Sequence, residues 1–492
     1  MYEKGNRMRV NGINSNYNNS FKHKIFIDIG ASNPKGTMKI LAQTDDGQDI
    51  YKKSGYVNTT IDGFTDNAAF VRRIAHHVRQ THKKVVDMDK KGIINLQPHD
   101  RKLSGVAIFV PGTTMVNGKK DKIAFMPNLK DKEGNSLVDV DFSKYEKDMK
   151  TLSYDELGGV DVNRSKFEFM ATKDLGGAGL SIAKILSSRG ELKEGDYIMG
   201  IMTGGGFGSV DIKVKDRKVE IETSESSSYL TASPHGGKLE KLGRLGVSVK
   251  SHINHYCDSL GLPELAEGSV LRKALLNAGD ARIVADNEIH LKNQTDGDLI
   301  ETFVDSPLFR IKEADNKSTV IEMVDDDPNF AKKMQEAKIS SIKDYAEAIS
   351  LISVNKINDC LNKIVLVGPF AQGLNRYVQE HPEEFAIPKG KEVDKSGKVH
   401  KINGLDDLIE YEVAKRIDEV DLPSSRWLSD LYNFEVICDK DINFSNNTYA
   451  GDVLLNKKLR FTRNRGSWFS VPLSELPQPE NVRRRIIRKK DK

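Results

Sequence analysis

Two aspartates and two glycine-bearing turns stand where phosphate chemistry could use them. In "KIFIDIGASN" an apolar run leads straight into Asp28, followed by Gly30, Ser32 and Asn33. A carboxylate at the tip of a buried strand cannot pair in an apolar core, so it must meet water, a donor or a metal. Mg²⁺ on nucleotide phosphates suits that position, because the ion takes few carboxylates and keeps several waters. A turn-capping aspartate is the plainer alternative. Asp174 stands where the strand-like "FEFMATK" gives way to the small-residue helix "LGGAGLSIAK". It is either a helix cap or a general base that takes the proton of an attacking hydroxyl during phosphoryl transfer. "MTGGGFGS" sets Thr203, Gly204, Gly205 and Gly206 between two strands. Glycines there can offer backbone N–H groups to an anion with no side chain in the way, and a plain hairpin uses the same residues. In "KIVLVGPFAQG", Gly368 ends an apolar strand and opens a helix. Such a turn lets a flat ring or a ribose approach the backbone closely.

Short apolar runs ending in glycine alternate with helical patterns, which predicts an α/β fold. Strands are expected around 24–41, 53–58 and 105–118, and again at 197–203, 208–215 and 218–223. Helices are expected over Asn67 to Met88 and Leu175 to Lys184. The strand pattern occurs twice, which predicts two related lobes with a cleft between them. The boundaries that follow are an arm at 1–23, an N-terminal lobe at 24–174, a C-terminal lobe at 175–455 and an extension with a basic tail at 456–492. Charged, low-apolar stretches at 129–165, 285–330 and 376–425 read as loops or insertions.

The chain has 492 residues, with 38% hydrophobic and 30% charged residues and a net charge of +4. That composition suits a soluble globular protein and does not argue for nucleic acid. No run of about 18 apolar residues suggests a membrane span, and the polar, Asn-rich start lacks the apolar core of a secretory signal. A cytoplasmic protein is expected. The three cysteines are far apart and form no CxxC pair. The tail "VRRRIIRKKDK" reads as a solvated basic terminus, with an RNA or anionic-surface contact as the alternative.

Taken together, the motifs resemble those of the ROK family of sugar kinases, within the actin/hexokinase/Hsp70 ATPase superfamily. "DIGASN" is similar to that family's first phosphate motif, and "VAIFVPGTTMVNGKKDKIAFMPNL" to its strand–PG–hairpin–PNL segment. "TKDLGGAGLSIAK" is similar to the segment with the catalytic aspartate, "TGGGFGSVDI" to the second phosphate motif, and "IVLVGPFAQG" to the adenosine motif. The resemblance covers most of 24–250 and 328–455. It implies two RNase H-like, actin-like ATPase lobes closing on ATP, Mg²⁺ and a hexose. Asp174 would be the base, and Asp28 would orient Mg²⁺ through water. Backbone groups at Ser32, Asn33 and Thr203 to Gly206 would hold phosphates. Gly368 would face adenosine, and Asn128 and Glu225 are positional candidates for the sugar. A homodimer is compatible with the resemblance, and no DNA partner is expected because the N-terminal arm is too short for a helix-turn-helix.

The departures are specific. Lys173 stands where the family carries Asn before the base, and the sugar-binding Glu-x-Gly-His is not legible. The cysteine zinc loop is missing; His235, His252, His255 and Cys257 lie in its neighbourhood and read better as surface histidines and a buried thiol. No structural zinc is expected. Lys35, in the extra turn residues Pro34 to Thr37, could touch phosphate or be solvated. The alternatives to a kinase are a non-catalytic ROK-like sugar- or nucleotide-binding protein and an actin- or Hsp70-like ATPase.

Overall fold

The computed structural model describes residues 23–30, 35–44, 49–58, 67–94, 102–116, 121–130, 136–141, 151, 167–204, 206–224, 230–232, 239–241, 247–280, 282–293, 296–324, 326–357, 359–419, 428–439, 442, 444–455, 460–461 and 468–479. The first sheet holds β1 (His23–Gly30), β2 (Lys35–Thr44), β3 (Asp49–Asn58), β4 (Leu103–Val110) and β5 (Glu168–Lys173). Its order is β3-β2-β1-β4-β5. The first three strands pair antiparallel, and β4 and β5 join parallel to β1. The second sheet repeats this plan with β6 (Tyr197–Thr203), β7 (Phe207–Lys215), β8 (Lys218–Ser224), β9 (Lys363–Val367) and β10 (Glu435–Ile437). Its order β8-β7-β6-β9-β10 has the same antiparallel and parallel pairings. Two sheets of order 3-2-1-4-5 are the two related lobes that the repeated pattern predicts, and that order is the RNase H-like plan the resemblance implies. The expected meander of the second lobe lies at 197–203, 207–215 and 218–224 in the structure.

Strand periodicity decides which face each side chain takes. Ile25, Ile27 and Ile29 pack in one core with Ile74, Ala75 and Val78 of α1 (Asn67–Lys90). Phe26 faces the other way, into a second core with Phe109 and the helix α2 (Asp174–Arg189). Asp28, two residues on, shares the face of Phe26. Its carboxylate therefore looks toward the junction of the lobes.

The helix α2 fills that junction. Its Leu175, Ala178, Leu180 and Ile182 share one core with Phe109 of the first sheet and with Ile198, Val210 and Ile221 of the second. The glycines of "LGGAG" permit the double contact. A Cβ on Gly177 would enter the ring of Phe109, and one on Gly179 would meet Val210 and Ile221. The outer face of the second sheet is covered by α3 (Val249–Leu260), α4 (Pro328–Ile357), α5 (Pro369–Glu380) and α6 (Leu405–Glu419) in a third core.

Three stretches differ from the sequence expectation. Within 376–425, α6 is core: Leu405, Leu408, Ile409 and Val413 are buried. Within 285–330, three strands at Glu288–Lys292, Phe309–Ala314 and Ser318–Met323 form a separate sheet beside the helix Gly297–Val304. The segment expected as a C-terminal extension supplies β11 (Arg460–Phe461) and β12 (Trp468–Pro472), which continue the second sheet beyond β8. In the first two stretches, charged residues on the outer faces dilute the apolar signal; β11 and β12 are too short, at two and five residues, to show a period.

Candidate active site

Asp28 lies inside β1, opposite Lys39 of β2 and alongside Phe109 of β4. It is 2% exposed. The expectation of a carboxylate at the strand tip is corrected here: the strand runs on to Gly30, and Asp28 is covered. Burial pushes its carboxyl up to about 7, against the attraction of Lys39 and a hydrogen bond from Asn447. Lys39 is pushed down, first by its own burial, while Asp28 draws it up.

Asp174 is the first residue of α2, and Lys173 is the N-cap, with extended backbone and no side-chain cap bond. The Asp174 carboxylate accepts the Leu175 N–H at 2.8 Å. The residue is half-buried, directly after the C-terminal end of β5.

One residue that sequence reasoning missed touches both groups. Asn447 belongs to a 3-10 helix, Phe444–Ala450, that returns from the second lobe. Its Nδ2 donates to Asp28 Oδ1 at 3.4 Å and to the backbone oxygen of Asp174 at 3.2 Å. It is 1% exposed, and its Oδ1 is buried without a hydrogen-bond partner among the described residues. The 3-10 segment is held from both sides. Lys184 of α2 donates to Tyr449 O at 2.6 Å and pairs with Asp452 at 2.8 Å. Tyr449 donates to Asp49 of β3 at 3.2 Å and lies under Lys52. At Gly451 a Cβ would enter the ring of Phe26. The only sequence signal was the density of short polar residues in "NFSNNTYAGD", which has no apolar period to fix its place.

The glycine hairpin joins β6 to β7. Gly204 and Gly206 are exposed, with no atom within 4 Å of where a Cβ would stand. The surface there is open to an approaching group. Two contacts hold the hairpin itself. The Gly204 N–H closes the turn onto Gly206 O at 2.9 Å. The Thr203 hydroxyl points inward to the Tyr345 hydroxyl of α4, at 3.0 Å. Gly204 O in turn accepts the N–H of Val249 at 2.9 Å, so the hairpin leans on the first turn of α3. A capping box of Ser248 and Ser251 fixes that turn.

Gly368 connects β9 to α5 with φ 110 and ψ 164, a conformation only glycine takes readily. Pro369 follows at the first helical position, where its missing N–H is not needed. Behind this turn Phe370 packs against Tyr345 and His252, with ring centroids 5.4 and 5.0 Å apart. The hairpin and the Gly368 turn are thus backed by one aromatic cluster.

His252 is not on the surface, contrary to the sequence reading. It is fully buried, and neither ring nitrogen has a hydrogen-bond partner among the described residues. Burial, then the nearby His255, pushes it down to about 3 and leaves it neutral. His255 contacts Asp344 at 3.2 Å, and Cys257 is buried with its thiol pushed up to about 12. Among the described residues the group of three side chains able to share a metal is elsewhere, at His381, Glu383 and Glu384. Gly30 ends β1, and Asn128 lies on the strand Asp121–Lys130, but their immediate surroundings are not described. Ser32, Asn33, Lys35's neighbour Pro34, Gly205, Glu225 and His235 lie outside the described residues.

Comparison with known proteins gives no matching family model and no matching curated protein. Among solved structures, the chain is similar to a glucokinase from Balamuthia mandrillaris in complex with glucose. The identity is 10% and the TM-score 0.46, covering 88% of this chain and 94% of that one. It is also similar to a Leishmania braziliensis glucokinase, at 12% identity and TM-score 0.43, over 88% and 94% of the two chains. A third is a ROK family glucokinase from Streptomyces griseus in complex with glucose and AMPPNP. There the identity is 11% and the TM-score 0.41, over 88% and 98%. At these scores the fold stands on the chain's own strand order. No helix among the described residues is long and apolar enough to cross a membrane.

Proposed function

We propose that the chain is an ATP-dependent kinase of a hexose or related sugar, of the ROK type. The observation that carries this reading is the meeting of Asp28 and Asp174 at one interlobe junction, bridged by a single amide. Both aspartates come from the first sheet, Asp28 from β1 and Asp174 from the end of β5, and phosphoryl transfer uses a phosphate-side group and a base. Asp174, at the head of a helix clamped by both sheets, would take the proton of a sugar hydroxyl. The exposed Gly204–Gly206 surface suits phosphates, and the Gly368 turn suits adenosine. Asn128 and Glu225 remain the candidates for the sugar.

The residues present fit Mg²⁺ carried on nucleotide phosphates. The Asp28 carboxylate is an oxygen donor of the kind a hard cation takes, directly or through water. When bound, ATP–Mg²⁺ supplies the phosphoryl group and offsets its charge. The contribution of Asp28 is a negative charge, which it acquires as its raised carboxyl ionises.

A coupled ADP-release assay over hexoses and N-acetyl hexosamines tests the proposal. Sugar-stimulated ADP release is the expected result. Release that ignores sugar would favour an actin- or Hsp70-like ATPase. Ligand binding without turnover would favour a sensor.

A further inference from the structure

We propose that Asn447 is a positioning residue for phosphoryl transfer: its amide fixes Asp174, at the head of α2, relative to Asp28 on β1. This rests on the sugar-kinase reading given above. Three observations on the side chain lead to it.

The first is orientation. The Asp174 backbone oxygen can only accept, so the Asn447 NH₂ must face it. The same NH₂ then reaches Asp28. The second is residue type. The Oδ1 that remains is buried without a partner among the described residues, and leaving such an oxygen unpaired is unfavourable. A leucine would fill the space without that cost. Packing alone therefore does not select asparagine here, whereas the two donated bonds do. The third is anchorage. Lys184 ties the Asn447 segment to α2, Tyr449 ties it to Asp49 of β3, and Gly451 seats it on Phe26 of β1. The amide is carried by a segment fastened both to α2 and to β1 and β3 of the first sheet, so it can hold the spacing between the helix head and β1.

A base must stand within hydrogen-bond reach of the hydroxyl proton while the phosphate side stays fixed. A misplacement of about 1 Å can cost on the order of 10²-fold in rate. Loss of the bridge should therefore lower turnover more than it weakens either ligand.

The test uses the full chain with ATP and the sugar found active in the ADP-release panel. Asn447→Leu should lower kcat by roughly 10- to 100-fold, with KM for ATP and for sugar nearly unchanged and the thermal midpoint close to the parent. Asn447→Gln, which keeps the donor, should retain more turnover than Asn447→Leu. In an Asp174→Asn background, Asn447→Leu should cost little more, because the two act through the same group. Parental kcat in Asn447→Leu overturns the proposal, as do losses that multiply fully with Asp174→Asn. If Asn447→Leu does not fold, the same comparisons are read from Asn447→Gln and Asn447→Ser. A parent chain with no sugar-dependent turnover would remove the kinase reading and this inference together. A turning-over parent with unaffected variants would remove this inference alone.

Discussion

At the residue scale, the two carboxylates differ in what surrounds them, and so in what their replacement should do. Asp174 is half-buried at a helix start and Asp28 is covered. Asp174→Asn keeps the shape and the bond from Leu175 but removes the basic oxygen. It should cut turnover by roughly 10²- to 10⁴-fold while leaving ATP affinity nearly intact. Steady-state kinetics with nucleotide titration would decide this, and parental turnover would return Asp174 to a structural role. Asp28 predicts a pH effect on stability. Its folded carboxyl, near 7, holds a proton more tightly than the ordinary 3.8 of an exposed aspartate. The folded state therefore binds more protons across that interval, and this group's contribution to stability falls as pH rises from 3.8 towards 7, then levels off. Asp28→Asn removes the titrating group. Its thermal midpoint should gain on the parent as pH rises through the interval, and melts of both proteins across that range would measure the difference. Parallel curves would show that Asp28 is not held protonated. The identity of both aspartates was legible in the sequence, since each stands at the end of an apolar run. The burial of Asp28 was not legible, because its cover comes from a segment more than four hundred residues later in the chain.

At the element scale, the strands and the long helices were readable wherever the apolar period was clean. The β6-β7-β8 meander and α1 lie within a few residues of where alternation and the helical stripe put them. The 3-10 segment Phe444–Ala450 carries no such period, and its position depends on contacts with α2 and β1. Glycines mark the same divide. Those of α2 are there for helix–sheet contact at Phe109 and Val210, whereas Gly204 and Gly206 have open space above them. That difference makes the hairpin testable. Gly204→Val adds a branched side chain whose Cβ meets nothing within 4 Å among the described residues, so the fold should survive with a small change in thermal midpoint. A phosphate approaching the turn would meet that side chain, and ATP should bind more weakly. Calorimetric titration of the folded variant with ATP measures this. Unchanged affinity would count against the hairpin as a phosphate site. What the sequence did not reveal is the inward role of Thr203, whose hydroxyl is held by Tyr345 from a distant helix.

At the scale of the whole molecule, the chain closes on itself near its end. After α6 and β10 the backbone crosses to the first lobe at Asn447 to Leu455, where Leu455 lies against Gly105 of β4. It then returns to the second sheet, where β12 pairs with β8 from Lys218↔Pro472 to Glu222↔Trp468. The crossing places the bridge between the Asp28 carboxylate and the backbone oxygen of Asp174, and the return anchors the crossing. Removing the return should therefore be felt at both places. Without β12, the strand β8 would present an unpaired edge, a common template for aggregation. Val471 is buried in the interlobe core with Leu476, packed beside Val219 and Ile221. Val471→Asp would put a carboxylate in that core with no partner provided for it, a change expected to be strongly destabilising. It should lower the thermal midpoint by several degrees and raise light scattering as β12 detaches. The folded fraction should also lose turnover, because the crossing segment loses its far anchor. Thermal melts, scattering and kinetics on one preparation would separate these effects. A destabilised variant with full turnover per folded molecule would show that the bridge at Asn447 stands without the return strand.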